Sequence, residues 1–151
     1  LRPYMKLCEL LGSFAGQLTE TGLKAITIEY EGHATELNTR PLTAVTLQGL
    51  LAPLLDSVNM VNAPLIAKER NIDITEIKHE RASDYLTLVK VTVTTEVQTR
   101  GVSGTLFAGS RPRLVEIKGI PIETFPDDPR KANFSGAIQL PVAIPLPYPL
   151  P

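Results

Sequence analysis

The chain has one cysteine, Cys8, and only two histidines, His33 and His79. A single thiol excludes an intramolecular disulfide framework and fits a reducing compartment, so a cytoplasmic location is expected. The histidines stand far apart, and neither has a His or Cys at a metal-ligand spacing, so no metal site is expected. Neither sign of charge is in excess. With a formal net charge of −1, there is no general electrostatic case for nucleic acid or an anionic membrane. Any anion site must therefore be local. No apolar run approaches the ~20 residues that span a bilayer. Leu1 is not an initiator methionine and no signal-peptide pattern follows it, so the chain reads as a piece of something longer.

What is present suffices for a core. The 151 residues are 43% apolar and 21% charged, close to globular averages. A domain of this size buries roughly 68–70% of the surface its unfolded chain exposes.

From Tyr4 to Thr21, Leu7, Leu10, Leu11, Phe14 and Leu18 recur at the spacing of one helix face, with Pro3 at the start and Gly22 as a stop. Cys8 lies beside that stripe and reads as a small packed thiol. Lys24 to Glu31 then alternates, with Ile26, Ile28 and Tyr30 on one side, as a half-buried strand does. Gly32, His33 and Asn38 mark a loop. Pro41 can open a second helix running to about Val58, apolar almost all round, weakened by Gly49 and kinked by Pro53. Such a helix calls for burial against a sheet and a partner chain.

A third, short helix is expected from "VNMVNAPLIAKERN", residues 58–71. Pro64 biases Ala63 away from helical dihedrals and fits the first helical turn. Asn62 can cap the free amides there, and Asn71 can take a left-handed exit. Free amides at a helix start can also hold an anion.

The second half alternates like strands. Ile72 and Ile74 form one group, and Val89, Val91, Val93 and Val97 a second, with a turn expected at Arg100-Gly101. Val102 to Phe107 follows, then a turn at Gly109-Ser110-Arg111-Pro112. Arg113 to Ile117 and Ile120 to Glu123 flank Lys118-Gly119 as a tight hairpin. Helices first and strands later predict an α+β fold, a mainly antiparallel or mixed sheet with two to three helices on one face. From Pro126 onward proline alternates with apolar residues, ending in "GAIQLPVAIPLPYPLP". That stretch, 126–151, is unsuited to a central strand and reads as a linker, an appended tail or a strap across a neighbouring molecule.

No catalytic constellation emerges. Ser103 lacks a nucleophile elbow, Gly101 to Gly104 lacks the lysine and strand–loop–helix setting of a phosphate loop, and the acidic residues are scattered. One cluster stands out: Arg100, Arg111, Arg113 and Lys118 all fall near strand turns. If those turns share an end of the sheet, the side chains converge on a phosphate or carboxylate. The alternative is that they are solvated charges guarding strand ends against edge-to-edge pairing.

"LGSFAGQLTE" (11–20), "VNMVNAPLIAKERNI" (58–72) and "GTLFAGSRPRLVEIKGIPIE" (104–123), in that order, resemble the intervening, or allosteric substrate-binding, domain of long-type bacterial D-3-phosphoglycerate dehydrogenases. A related domain occurs in iron–sulfur serine dehydratases, although one cysteine cannot by itself ligate a cluster. The resemblance covers Tyr4 to about Glu123, and assigns 1–125 to the domain. It implies a parent enzyme in serine synthesis whose NAD and catalytic Arg, Glu and His belong to other domains, so no cofactor is expected here. It also implies a non-catalytic regulatory role, homo-oligomer contacts and a site for phosphate or a phosphorylated hydroxy or keto acid. One basic position of that site matches Arg113, just before "LVEIKG"; a second would fall near Phe125, where this chain has no charge. The Asp-Lys-Pro-Gly turn of the ACT domain is missing. A purely structural spacer remains the plain alternative.

Overall fold

The computed structural model describes residues 1–19, 22–79, 87–108, 110–118 and 137–145. Two long helices and one short one lie on a six-stranded mixed sheet, the α+β arrangement expected from the order of patterns. Helix α1 spans Arg2–Leu18 with its proline in the first turn, and Leu7, Cys8, Leu11 and Ala15 are buried. Gly22 adopts φ 82, the left-handed conformation that leads into strand β1, Leu23–Gly32. Ile26, Ile28 and Tyr30 point into the core as alternation required.

After a 3-10 turn at His33–Glu36, helix α2 spans Thr39–Leu51, opened by the Asn38 side chain, which accepts from the Arg40 amide at 3.3 Å. The expected extension to Val58 does not occur. A proline ring collides with the carbonyl four residues back, so Pro53 ends the helix rather than kinking it, and the chain closes in a tight turn on the Leu51 carbonyl. The helix needs no partner chain for its apolar circumference, because ten of its thirteen residues are buried within this chain.

Helices α1 and α2 touch backbone to backbone. A β-carbon on Gly12 would lie 2.1 Å from the Thr46 carbonyl oxygen, and one on Gly49 2.5 Å from that of Glu9. Gly49 thus trades helix propensity for close approach. Gly104 does the same for the sheet, since a β-carbon there would meet Leu7 and Leu11 at about 3 Å.

Helix α3 covers Ala63–Glu69. Ala63, expected outside, is inside it, and Asn62 makes no cap hydrogen bond. The two asparagines instead clasp the preceding loop. Asn59 Oδ1 accepts from the amides of Val61 and Asn62, while Asn62 Oδ1 accepts from the Asn59 amide and its Nδ2 donates to the Ser57 carbonyl, all within 2.8–2.9 Å. Asx turns of this kind compete directly with capping. Pro64 does sit in the first turn, and Asn71 takes the left-handed exit at φ 57.

The remaining strands are β2 (Asp73–His79), β3 (Thr87–Thr95), β4 (Thr99–Phe107), β5 (Arg111–Lys118) and β6 (Ala137–Pro145), in the sheet order β2-β1-β3-β4-β5-β6. β2 runs parallel to β1 after the helical crossover, and all other pairings are antiparallel. The turn expected at Arg100-Gly101 lies earlier. The Thr95 hydroxyl accepts from the amides of Val97 and Gln98 and folds the chain there, so Arg100 and Gly101 belong to β4. Alternation through Val97 concealed it. The turn expected at Gly109 to Pro112 also lies earlier: Ala108 and Ser110 are in it, while Arg111 and Pro112 already belong to β5 and pair with Phe107 and Leu106. The hairpin at Lys118-Gly119, the strand at 120–123 and the boundary at 125–126 lie outside the described residues. Within the proline-rich 126–151, strand β6 forms one sheet edge, the position that tolerates missing N–H donors. Among the described residues, no helix is long and apolar enough to cross a membrane.

A polar clamp fastens β2 to α2. The buried Tyr30 hydroxyl hydrogen-bonds Thr43 Oγ1 at 3.0 Å, Thr43 Oγ1 donates to Glu76 Oε1, and Thr39 Oγ1 donates to Glu76 Oε2 at 3.1 Å. Thr43→Val would leave the Tyr30 hydroxyl buried and unpaired. That change is expected to cost about 1–3 kcal/mol, read as a lower urea midpoint, with Tyr30→Phe in the same background restoring part of it.

Candidate anion-binding face

Register decides which basic residues meet. Val102 pairs with Ile117 and Gly104 with Leu114 on the side that the helices cover. Ser103 pairs with Glu116, Thr105 with Arg113 and Phe107 with Arg111 on the far side. Lys118 pairs with Gly101, four residues from Thr105 along β4 and so ~13 Å from the Arg113 position. Arg100 falls, by alternation, on the helix side; it is 9% exposed and its Nη2 donates to Gln98 Oε1 at 2.6 Å. The four cations expected to converge therefore divide. Arg111 and Arg113 share one end and face of the β4–β5 hairpin, and Arg100 and Lys118 lie at the other end. The cause is the hairpin itself: antiparallel pairing carries Arg100 and Arg111 to opposite ends of β4.

The Arg111–Arg113 end is built on an aromatic. The Arg113 guanidinium lies 5.0 Å from the centroid of the Phe107 ring, which is 56% exposed. A cation–π contact of this exposure is worth ~0.5–1 kcal/mol and biases the guanidinium towards the ring. Residues two apart on a strand share a face, so Arg111 stands beside it. Among the described residues, the ion pairs are Lys24–Glu96, His33–Glu36 and His79–Glu29, and neither arginine takes part in one. Glu116 lies on the same face, paired with Ser103, but forms no ion pair with either arginine among the described residues, so the two adjacent cations can present planar donors to a phosphate or carboxylate. Phe107 escaped the sequence reading, although its position just before the turn, mirrored by Arg111 after it, follows from hairpin pairing.

Cys8 takes no part in chemistry of this kind. It is fully buried, and burial pushes its thiol up to about 12, against a smaller opposing effect of its hydrogen bond with Thr46. Among the described residues, no three His, Cys, Asp or Glu gather as metal ligands. The start of α3 is no anion site either: the helix is only seven residues long and Asn62 is spent on its own loop.

Residues 1–118, from α1 to the last residue of β5, match the model of the D-3-phosphoglycerate dehydrogenase intervening domain. The chain belongs to that family. Among relatives, a D-3-phosphoglycerate dehydrogenase of Synechocystis is 33% identical over 130 residues, 85% of this chain and 24% of that protein. One from Bacillus subtilis is 35% identical over 127 residues, 83% of this chain and 24% of that protein. One from Methanocaldococcus jannaschii is 30% identical over 128 residues, 84% and 24% of the two. The chain thus spans about a quarter of the length of these curated relatives. The matched model and these relatives are all of the dehydrogenase.

Within this intervening domain, the matched region holds α1, α2, α3 and the first five strands, and leaves out β6. Arg111, Arg113 and Phe107 all fall inside it. Phe125, where a second basic residue was expected, lies outside the described residues.

Proposed function

We propose that this intervening domain is a non-catalytic regulatory and oligomerisation module of an NAD-dependent D-3-phosphoglycerate dehydrogenase, and that it holds a phosphorylated anion on the Arg111–Arg113 face. The nicotinamide and the hydride chemistry belong to other parts of the parent. The observation that carries the anion reading is the pair of arginines on one sheet face, one stacked on Phe107, with no ion pair to either among the described residues. A phosphorylated hydroxy or keto acid offers the phosphate for the fork of Arg113, with Arg111 adding charge from the neighbouring position.

Thermal unfolding in inorganic phosphate or phosphohydroxypyruvate tests this. Ligand at tenfold its Kd is expected to raise Tm by about 3–5 °C, and Arg113→Ala is expected to abolish the rise while leaving the unliganded Tm within about 2 °C. No rise in the parent chain at millimolar ligand would discard the anion site and leave a structural spacer.

A further inference from the structure

The two edges of the sheet are unlike. Edge strand β6 carries Pro141 and Pro145, which lack backbone N–H donors, and its pairing with β5 is interrupted by a register shift between Leu114 and Glu116. Edge strand β2 has no proline, pairs with β1 through seven consecutive residues without a shift, and is mostly exposed along its length. Exposed strand edges are templates for another strand, and proteins commonly blunt them with prolines, bulges or charges. Here one edge has the first two devices and the other has only charges. Those charges do not repel in every register.

We propose that β2 is the seam of a symmetric dimer, in which a second copy of this chain pairs antiparallel along it with the two-fold axis at Ile77. The proposal rests on the oligomerisation reading above and gives it a surface. A two-fold that joins two antiparallel strands in one sheet stands perpendicular to that sheet, so residues on one face meet residues of the same face. That allows few registers. An axis at Thr75 sets Asp73 against Ile77. An axis at Glu76 sets the two Glu76 carboxylates against each other, and one at Lys78 does the same with two lysines. An axis at Ile77 alone gives a complementary ladder: Ile77 against Ile77, Thr75 against His79 on the same face, and Glu76 against Lys78 twice on the other. Opposed unlike charges stabilise a strand pair and opposed like charges destabilise it, so the alternation of Glu76 and Lys78 selects this register and disfavours its neighbours. Ile77 is 37% exposed and would gain cover at the axis. Glu76 is already oriented by the hydroxyls of Thr39 and Thr43.

A single strand pair buries less than the ~1,200–2,000 Å² of a standard stable interface. Association of this chain alone is therefore weak, and strengthens where other contacts raise the effective concentration of the two edges. Weak pairing is best read by trapping. Directly opposed antiparallel residues have Cα atoms about 4.5–5.5 Å apart, within the range a disulfide accepts. With oxidised glutathione, Ile77→Cys is expected to give a disulfide-linked dimer. Thr75→Cys, whose own copy would be four positions away, is expected to give at least tenfold less. The parent chain serves as the blank because Cys8 is buried. Adding Lys78→Glu to Ile77→Cys is expected to slow trapping at least tenfold with an unchanged circular dichroism spectrum. Equal trapping at 75 and 77, or insensitivity to Lys78→Glu, overturns the seam. So does a chain that sediments as a dimer yet traps at neither position, an outcome that leaves oligomerisation standing elsewhere. A chain that stays monomeric at about 1 mM and traps at neither position overturns both readings.

Discussion

Gly12→Ala is expected to destabilise the fold by about 3 kcal/mol, the upper part of the usual range for overpacking a core. Gains and losses act on the same residue. Alanine is the better helix former by about 1 kcal/mol, and on a solvent-facing helix turn it would stabilise. At Gly12 its β-carbon would lie 2.1 Å from the Thr46 carbonyl oxygen and 2.9 Å from the carbonyl carbon. Those are backbone atoms of α2, with no flexible side-chain end to swing aside. The helices must therefore separate, and α1 also seats Leu7 and Leu11 over Gly104, so its displacement opens the main core. Urea and thermal unfolding check this, with Tm lower by roughly 6–12 °C. Gln17→Ala, on the exposed side of the same helix, should change little. A Gly12→Ala chain within 0.5 kcal/mol of the parent would mean that the two backbones are not held at this distance.

The second large effect is alkaline. Cys8 is fully buried, and its thiol titrates at about 12 in the fold against an ordinary 9.0. Between those values the unfolded chain has released a proton that the folded chain keeps. Stability is therefore undiminished by this group below pH 9 and falls as pH rises from 9 towards 12. The slope is about 1.4 kcal/mol per pH unit, or about 4 kcal/mol over the whole window. Burial also raises the Tyr30 phenol above its ordinary 10.0, with the hydrogen bond to Thr43 opposing it and the nearby Cys8 and Glu76 adding to it. Its contribution has the same sign and begins about one unit higher. Urea midpoints taken from pH 8 to pH 11 are expected to fall steeply in the parent chain. Cys8→Ala should start lower, from the lost packing, and fall less steeply between pH 9 and 10. Parallel slopes for the two chains would assign the alkaline loss to other groups.

The sequence by itself determined the elements whose cause is local. The α1 stripe, the alternation of β1, the left-handed exit at Asn71 and the α+β order of patterns each depend on neighbours within one or two turns of chain. The family was also legible, since its three motifs lie in contiguous stretches. Only the tertiary structure decided what depends on a distant partner. Gly49 read as a weak helix residue, but it and Gly12, which drew no reading, are where two backbones meet. Alternation through Val97 read as continuous strand until a hydroxyl of Thr95 turned the chain. Arg100 read as a partner of Arg113, but cross-strand register put them at opposite ends of one hairpin and on opposite faces. Strand alternation is the same whichever strand lies beside it, so register, and with it the makeup of a site, enters only when strands pair.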